Sequence, residues 1–188
     1  MNMRKFQNNV LAWHGSDSII IRLVTILVGA ALIGLAAQVK IPLPWTPVPI
    51  TGQTFAVLLA GALWGAQDGA LMALLYLLLG SIGVPWFAGG ALLGATGGYL
   101  LGFVPAAYCT GLLCRRFDWA RRLPGLVLVM VFANFIIIHG TGMTWLGCVT
   151  GIHDISKLAA LGTLPFIAGD LVKIAAAAAL ARVFMSRK

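Results

Sequence analysis

Acidic residues are scarce: five Asp and Glu stand against thirteen Lys and Arg in 188 positions, and only 10% of the chain is charged. With 60% hydrophobic residues and a mean hydropathy of +0.96, a chain this poor in charge cannot hide its apolar surface as a soluble domain. Cysteine is equally sparse. Cys109 and Cys114 sit near the inner end of one apolar run and Cys148 near the outer end of another, with no Cys-x-x-Cys spacing. That excludes a disulfide across sides and gives no metal or redox pattern. No Gly-x-x-x-x-Gly-Lys-[Ser/Thr] phosphate loop occurs, nor any Gly-Lys dipeptide, so the chain is not a P-loop ATPase by itself. Gly-x-Ser-x-Gly and His-Glu-x-x-His are missing too. No catalytic residue, metal or cofactor is expected. An intramembrane enzyme built on Asp170, His139 or His153 lacks any nucleophile–base motif. Clear internal duplication, as in inverted-repeat transporters, is absent.

What is present is a series of apolar runs: Ile19–Val39, Thr51–Gly65, Gly69–Val84, Thr96–Cys114, Leu123–Val149 and Leu164–Met185. They predict an all-α integral membrane protein with six transmembrane helices, forming one domain over residues 1–188. The second and third runs are short for a span of roughly 20 residues. Six crossings put both termini on one side. Ten of the thirteen basic residues then collect there (Arg4, Lys5, Arg22, Arg115, Arg116, Arg121, Arg122, Arg182, Arg187 and Lys188), leaving Lys40 and Lys157 opposite and Lys173 within the membrane. Positive charge gathers on the cytoplasmic side, so both termini are expected in the cytoplasm of a multi-pass, bacterial-type cell-membrane protein. The net charge of +8 therefore reads as topology signals at the ends of apolar runs, and nucleic acid is not expected as a partner. No cleavable signal is expected, since the first run is too long and starts too late. In residues 1–17, Phe6, Val10 and Trp13 recur at helical spacing among basic and Asn residues; a short helix on the inner membrane surface and a plain tail both fit.

The outer loops are structured. Lys40–Ile50 holds four prolines in eight residues (42–49) and cannot continue a helix, so it is expected to be extended and stiff. Residues 84–99 are rich in glycine and aromatics; glycine allows close backbone approach, and the following helix start offers unpaired N–H groups. Gly151–Gly162 carries His153, Asp154 and Lys157 before an apolar patch. Pro165 suits the first turn of the last span, where Leu-Pro-Phe-Ile-Ala-Gly-Asp-Leu-Val-Lys, residues 164–173, runs into Ile174 and five alanines. Asp170 and Lys173 thus lie in an apolar span, in its outer half. An intramembrane charge costs roughly 2.5–3.5 kcal/mol on insertion scales and usually faces a substrate or ion pathway. At spacing i, i+3 the two share a helix face; they either neutralise each other or flank a polar ligand. Under three structured loops, they point to an outward-facing small-molecule pocket.

Several blocks resemble one known family. Lys40–Gln53, Val57-Leu-Leu-Ala-Gly61, Leu75-Tyr-Leu-Leu-Leu-Gly80, Pro85–Gly90, Ala95-Thr-Gly-Gly-Tyr-Leu-Leu-Gly102 and Leu164–Lys173 are similar, in order and spacing, to BioY proteins. These are biotin-specific substrate-capture subunits, the S components of energy-coupling-factor (ECF) transporters. The resemblance spans about residues 25 to 185 and implies high-affinity biotin binding and uptake. It also implies work with a transmembrane coupling subunit and two cytoplasmic ATPases. The alternatives are an S component for another vitamin, or a biotin carrier acting without an ATPase.

Under that resemblance Asp170 can accept from the ureido N–H groups of biotin. Lys173 can donate to the ureido carbonyl or the tail carboxylate, or hold Asp170; charged partners give the stronger bonds in a dry site. Trp86, Phe87 and Tyr99 are candidate apolar walls, although Trp86 and Tyr99 also suit interfacial anchoring. Thr96, Gly97 and Gly98 are candidates to cap the tail carboxylate through backbone N–H groups, with helix packing the other use of the two glycines. Gln53 and Gly90 complete the expected binding set. Asn134 reads as a packing residue, His139 as an interhelical contact, and Asp68 as a solvated residue or cap. The family's small-residue docking pattern on the first span has its nearest match in Ala30-x-x-x-Gly34, with Ala37 three further on. Ala168 stands where the family usually has proline.

Overall fold

A computed structural model describes residues 18–88 and 92–185. The expected interfacial segment over residues 1–17, Gly90, Arg187 and Lys188 lie outside the described residues. Five helical stretches are long and apolar enough to cross a membrane: Ile19–Gln38, Gln53–Ser81, Gly97–Arg116, Leu123–Thr150 and Ile155–Met185. The expected second and third runs fall within a single stretch.

Helix α1 (Ile19–Gln38) buries Ile26, Gly29, Ala30, Ile33, Gly34 and Ala37 along one face, the spacing of a helix packed on one side. Leu23, Leu27, Leu32 and Leu35 on the other side are at least half exposed. The buried row corrects one expectation. Ala30 and Ala37 have no exposed surface, and Gly34 lies directly under the Trp86 ring. The small residues let α1 approach its own fold closely, as small residues do where apolar burial gives no drive inside a bilayer. That places the three inside the fold rather than on the outward face expected for docking.

Helix α2 (Gln53–Ser81) reverses at Gly65, whose φ of 84° is open to glycine and strained for other residues. Past that break the chain runs back alongside itself. A Cβ placed on Gly69 would lie 2.8 Å from the Cα of Gly61, a contact no straight helix permits eight residues apart. Arg115 covers the reversal and donates from Nη2 to the Trp64 carbonyl at 2.8 Å, satisfying an acceptor freed by the break. Nearby, Asp68 is not simply solvated. It pairs with Arg22 of α1 at 2.8 Å.

Helix α3 (Gly97–Arg116) is the most enclosed stretch and packs closely on α2. A 3₁₀ turn (Asp118–Arg121) leads into α4 (Leu123–Val131), a π-helical turn (Phe132–Ile138) and α5 (His139–Thr150). The final part comprises α6 (Ile155–Gly162), a 3₁₀ turn (Leu164–Phe166) and α7 (Ile167–Met185). Within the expected third loop, α6 forms because Asp154 caps it, accepting from the Ser156 and Lys157 amides at 2.8 and 3.4 Å.

The proline-rich first loop is a hairpin closed only at its base. Strands β1 (Lys40–Ile41) and β2 (Ile50–Thr51) pair antiparallel, Lys40 with Thr51 and Ile41 with Ile50. Prolines lack the N–H that a longer ladder needs. Thr46 ties the hairpin to α6, its hydroxyl donating to the Leu161 carbonyl at 2.7 Å.

Candidate functional site

The first turn of α7 carries Asp170 inward, with only 2% of the residue exposed. An isolated carboxylate buried so deeply is costly, and here it is met by donors on both oxygens. Lys173, one turn on, places Nζ 2.6 Å from Oδ1. On Oδ2 converge Asn134 Nδ2 at 2.9 Å and His139 Nε2 at 2.7 Å. Lys173 also donates to the Thr51 carbonyl at 2.9 Å, so the hairpin base is anchored to the charged pair. The i, i+3 pairing read from the sequence is therefore present, but as part of a larger network.

Asn134 and His139 reach one oxygen because of the π turn between them. In an α-helix, residues five apart lie roughly 140° apart around the axis. Here the His139 amide donates to the Asn134 carbonyl, an i→i+5 bond that stacks the two residues on one face. The opposite ring nitrogen, Nδ1, lies 3.0 Å from the Gly162 carbonyl and 3.1 Å from Thr163 Oγ1. Tyr99 donates to that same carbonyl at 2.8 Å, and its ring meets His139 edge-on at 5.7 Å. Phe135 stacks on the other side at 5.3 Å.

These groups border a cavity of about 520 Å³, counting the space at its open mouth. Its polar wall contains Thr51, Gln53, Thr54, Thr96, His139, Asp170 and Lys173, and its apolar wall includes Val48, Phe103 and Phe166. Among the described residues, the buried Thr54 and Thr96 hydroxyls have no hydrogen-bond partner, nor has Asn134 Oδ1. Buried polar atoms rarely go unpaired, so two free hydroxyls on one cavity suit a polar occupant. No cluster of His, Cys, Asp and Glu among the described residues has the makings of a metal site.

The sequence-predicted residues divide accordingly. Asp170, Lys173, Gln53, Thr96 and Tyr99 line the cavity. Gln53 is largely committed, its carbonyl accepting from Thr51 at 2.9 Å and its amide donating to Tyr76 at 2.6 Å. Trp86 and Phe87 are not among the lining residues. They pack on Tyr76, with ring centroids 5.3 and 5.4 Å away, and so brace the partner of Gln53. Gly97 and Gly98 likewise do not line the cavity; the space of a Cβ is taken by Leu92 and Trp145 at the first, and by Trp145 and Thr141 at the second. Their smallness serves close helix approach. Asn134 and His139, read as a packing residue and an interhelical contact, do reach across to another helix, and both bond the central carboxylate there. The available signal was two polar side chains in an otherwise apolar run, but their shared face depends on the π turn.

Residues 6–187 match the model of the BioY family. The chain is 40% identical over 159 residues to the biotin transporter BioY of Thermotoga maritima, covering 80% of this chain and 88% of that protein. It is 34% identical over 173 residues to the biotin transporter BioY of Rhizobium etli, covering 86% and 91%. In fold it is similar to the crystal structure of an S-component for biotin from an ECF-type ABC transporter. The TM-score there is 0.80, at 24% identity over 89% of this chain and 92% of that one.

Proposed function

Since this chain belongs to the BioY family, we propose that it captures biotin from outside the cell as the S component of an ECF-type transporter. The observation that carries this reading is the unused hydrogen-bonding capacity of Asp170 and Lys173 at the cavity wall. Asp170 Oδ2 already accepts two hydrogen bonds, whereas Oδ1 accepts only that of Lys173. Lys173 in turn donates to Oδ1 and Thr51, and an ammonium has one further N–H. A free acceptor position beside a free donor matches one edge of a ureido group, with its N–H toward Asp170 and its carbonyl toward Lys173. The bicyclic ring then lies against Phe103 and Phe166. The valeryl carboxylate extends toward Thr96, whose buried hydroxyl is unpartnered among the described residues.

In this reading the helical stretch reversing at Gly65 crosses the membrane twice, giving six crossings and cytoplasmic termini. The proline hairpin and α6 then form the outer cover. A transmembrane coupling subunit and two cytoplasmic ATPases supply the power stroke, and the exposed side of α1 is the face open to such a subunit. Calorimetric titration of the detergent-solubilised protein with biotin, using thiamine and riboflavin as controls, tests the ligand. Tight binding of biotin alone, with biotin recovered unchanged, is the expected result. Heat from a control and none from biotin would reassign the protein to another vitamin.

A further inference from the structure

We propose that His139 is a positioning residue, which orients Asp170 through a proton shared between Nε2 and Oδ2 and thereby makes ligand affinity depend on pH. This rests on the reading above that Asp170 meets the ligand. The Gly162 carbonyl beside the ring can only accept. Nδ1, 3.0 Å away, must therefore carry a hydrogen. Thr163 Oγ1 is within 3.0 Å of the Met143 sulfur, so its own hydrogen has a destination and the oxygen is free to accept from Nδ1 as well. A neutral ring with its hydrogen on Nδ1 would present a lone pair at Nε2. That lone pair would face Oδ2 at 2.7 Å, where no bond forms unless a second proton lies between them. The proton belongs to the pair, as imidazolium with carboxylate or as imidazole with carboxylic acid. In either form, together with the Lys173 ammonium, the cluster carries one net positive charge, the complement of a monoanionic ligand.

The groups around His139 are consistent with this assignment. Helix α7 contributes Asp170 and, beyond it, Lys173; α3 contributes the Tyr99 phenol, which donates to the Gly162 carbonyl rather than to the ring. The end of α6 and the residue after it contribute only the Gly162 carbonyl and the Thr163 hydroxyl, and the remaining faces are the Phe135 and Phe166 rings. Among the described residues, no second carboxylate faces the pair. When the shared proton leaves to solvent, two lone pairs oppose each other and Oδ2 loses its stronger donor. The carboxylate is then free to turn from Lys173, and Oδ1 no longer stands where the ligand meets it.

Two measurements test the proposal. The first is biotin affinity by calorimetry from about pH 5 to about pH 8, the range in which an ordinary imidazole changes charge, in wild type, His139→Gln and His139→Asn. Affinity in wild type is expected to fall with rising pH, approaching tenfold per unit where one proton is linked to binding. A glutamine amide reaches the Nε2 position and keeps its hydrogen at every pH, so H139Q recovers most of what H139N loses, with a flat profile. Wild-type and H139Q profiles of equal slope would overturn the proposal. The second is nitrogen-15 NMR of the imidazoles in the unliganded protein, before and after Asp170→Asn. The Nε2 signal is expected to show a proton shared with Asp170 and to shift on Asp170→Asn; a ring with a single hydrogen, indifferent to that change, would sink the idea. Intact ring signals with no biotin binding in any variant would instead count against biotin as the ligand and leave the His139–Asp170 pairing standing.

Discussion

Gln53 and Tyr76 are 23 positions apart in one continuous helical stretch, yet the Gln53 amide donates to the Tyr76 hydroxyl at 2.6 Å. In a straight helix that separation would be roughly 35 Å. The reversal at Gly65 brings them together, so that the second half of the stretch holds in place a cavity-lining residue of the first.

Gly65→Ala is accordingly expected to destabilise the protein. A backbone with φ of 84° and ψ of −175° costs a side chain about 1–3 kcal/mol, and the Arg115 guanidinium fills the space a methyl group would need. Thermal unfolding in detergent should show the loss. A melting temperature equal to wild type would mean that the reversal does not depend on glycine.

Asp170→Ala and Lys173→Ala are each expected to weaken biotin binding by at least roughly tenfold, about 1.4 kcal/mol. The two should differ in stability. Removing Asp170 strands Lys173, His139 and Asn134 together, an uncompensated buried cluster that typically costs about 3–5 kcal/mol. Lys173 is 18% exposed at its side chain, so its removal costs less. Calorimetry and melting on the same samples separate the effects, and unchanged affinity in both variants would leave the pair a structural ion bridge.

Thr96→Val provides the reverse test. The Thr96 hydroxyl has no partner among the described residues, so losing it should leave folding unharmed or strengthen it by up to about 1 kcal/mol. Biotin affinity should nevertheless fall, by about tenfold if one hydrogen bond to the carboxylate is lost. A destabilised variant with normal affinity would contradict the assignment.

Gly34→Leu should yield little folded protein, because Trp86 occupies the space into which the side chain would grow. Leu35→Trp, at a residue 66% exposed on the other side of α1, should leave the fold and detergent-phase binding intact. Size-exclusion profiles and biotin titration of the two variants compare the faces directly. An equally well-folded Gly34→Leu would return that position to the outer surface.

Asp154 predicts a local pH response. Hydrogen bonds from the Ser156 hydroxyl and from the Ser156 and Lys157 amides hold its carboxyl below the usual aspartate range. A depressed folded-state value means that the cap stabilises α6 above the ordinary aspartate pKa, and that this contribution is lost as pH falls through the lower one. Amide exchange in residues 155–162, corrected for intrinsic rate, should therefore speed up only in acid. Asp154→Ala should show the faster exchange at neutral pH too.

The amino-acid sequence by itself determined the membrane class, because apolar composition and clustered basic residues express the cost of placing charge in hydrocarbon. It also determined the Asp170–Lys173 pairing, since i, i+3 neighbours on a helix meet whatever surrounds them. Thr96 and Tyr99, singled out by the glycine-rich segment that leads into their apolar run, do line the cavity. Tertiary structure decided the rest, for reasons of geometry. A 100° periodicity puts Asn134 and His139 on different faces; only the π turn aligns them on Asp170. The row Ala30, Gly34 and Ala37 reads identically whether it faces a partner or the chain's own Trp86, because small residues suit either approach. Trp86 and Phe87 showed their aromatic character but not their direction, and packing on Tyr76 turned both toward the support of the site rather than its lining.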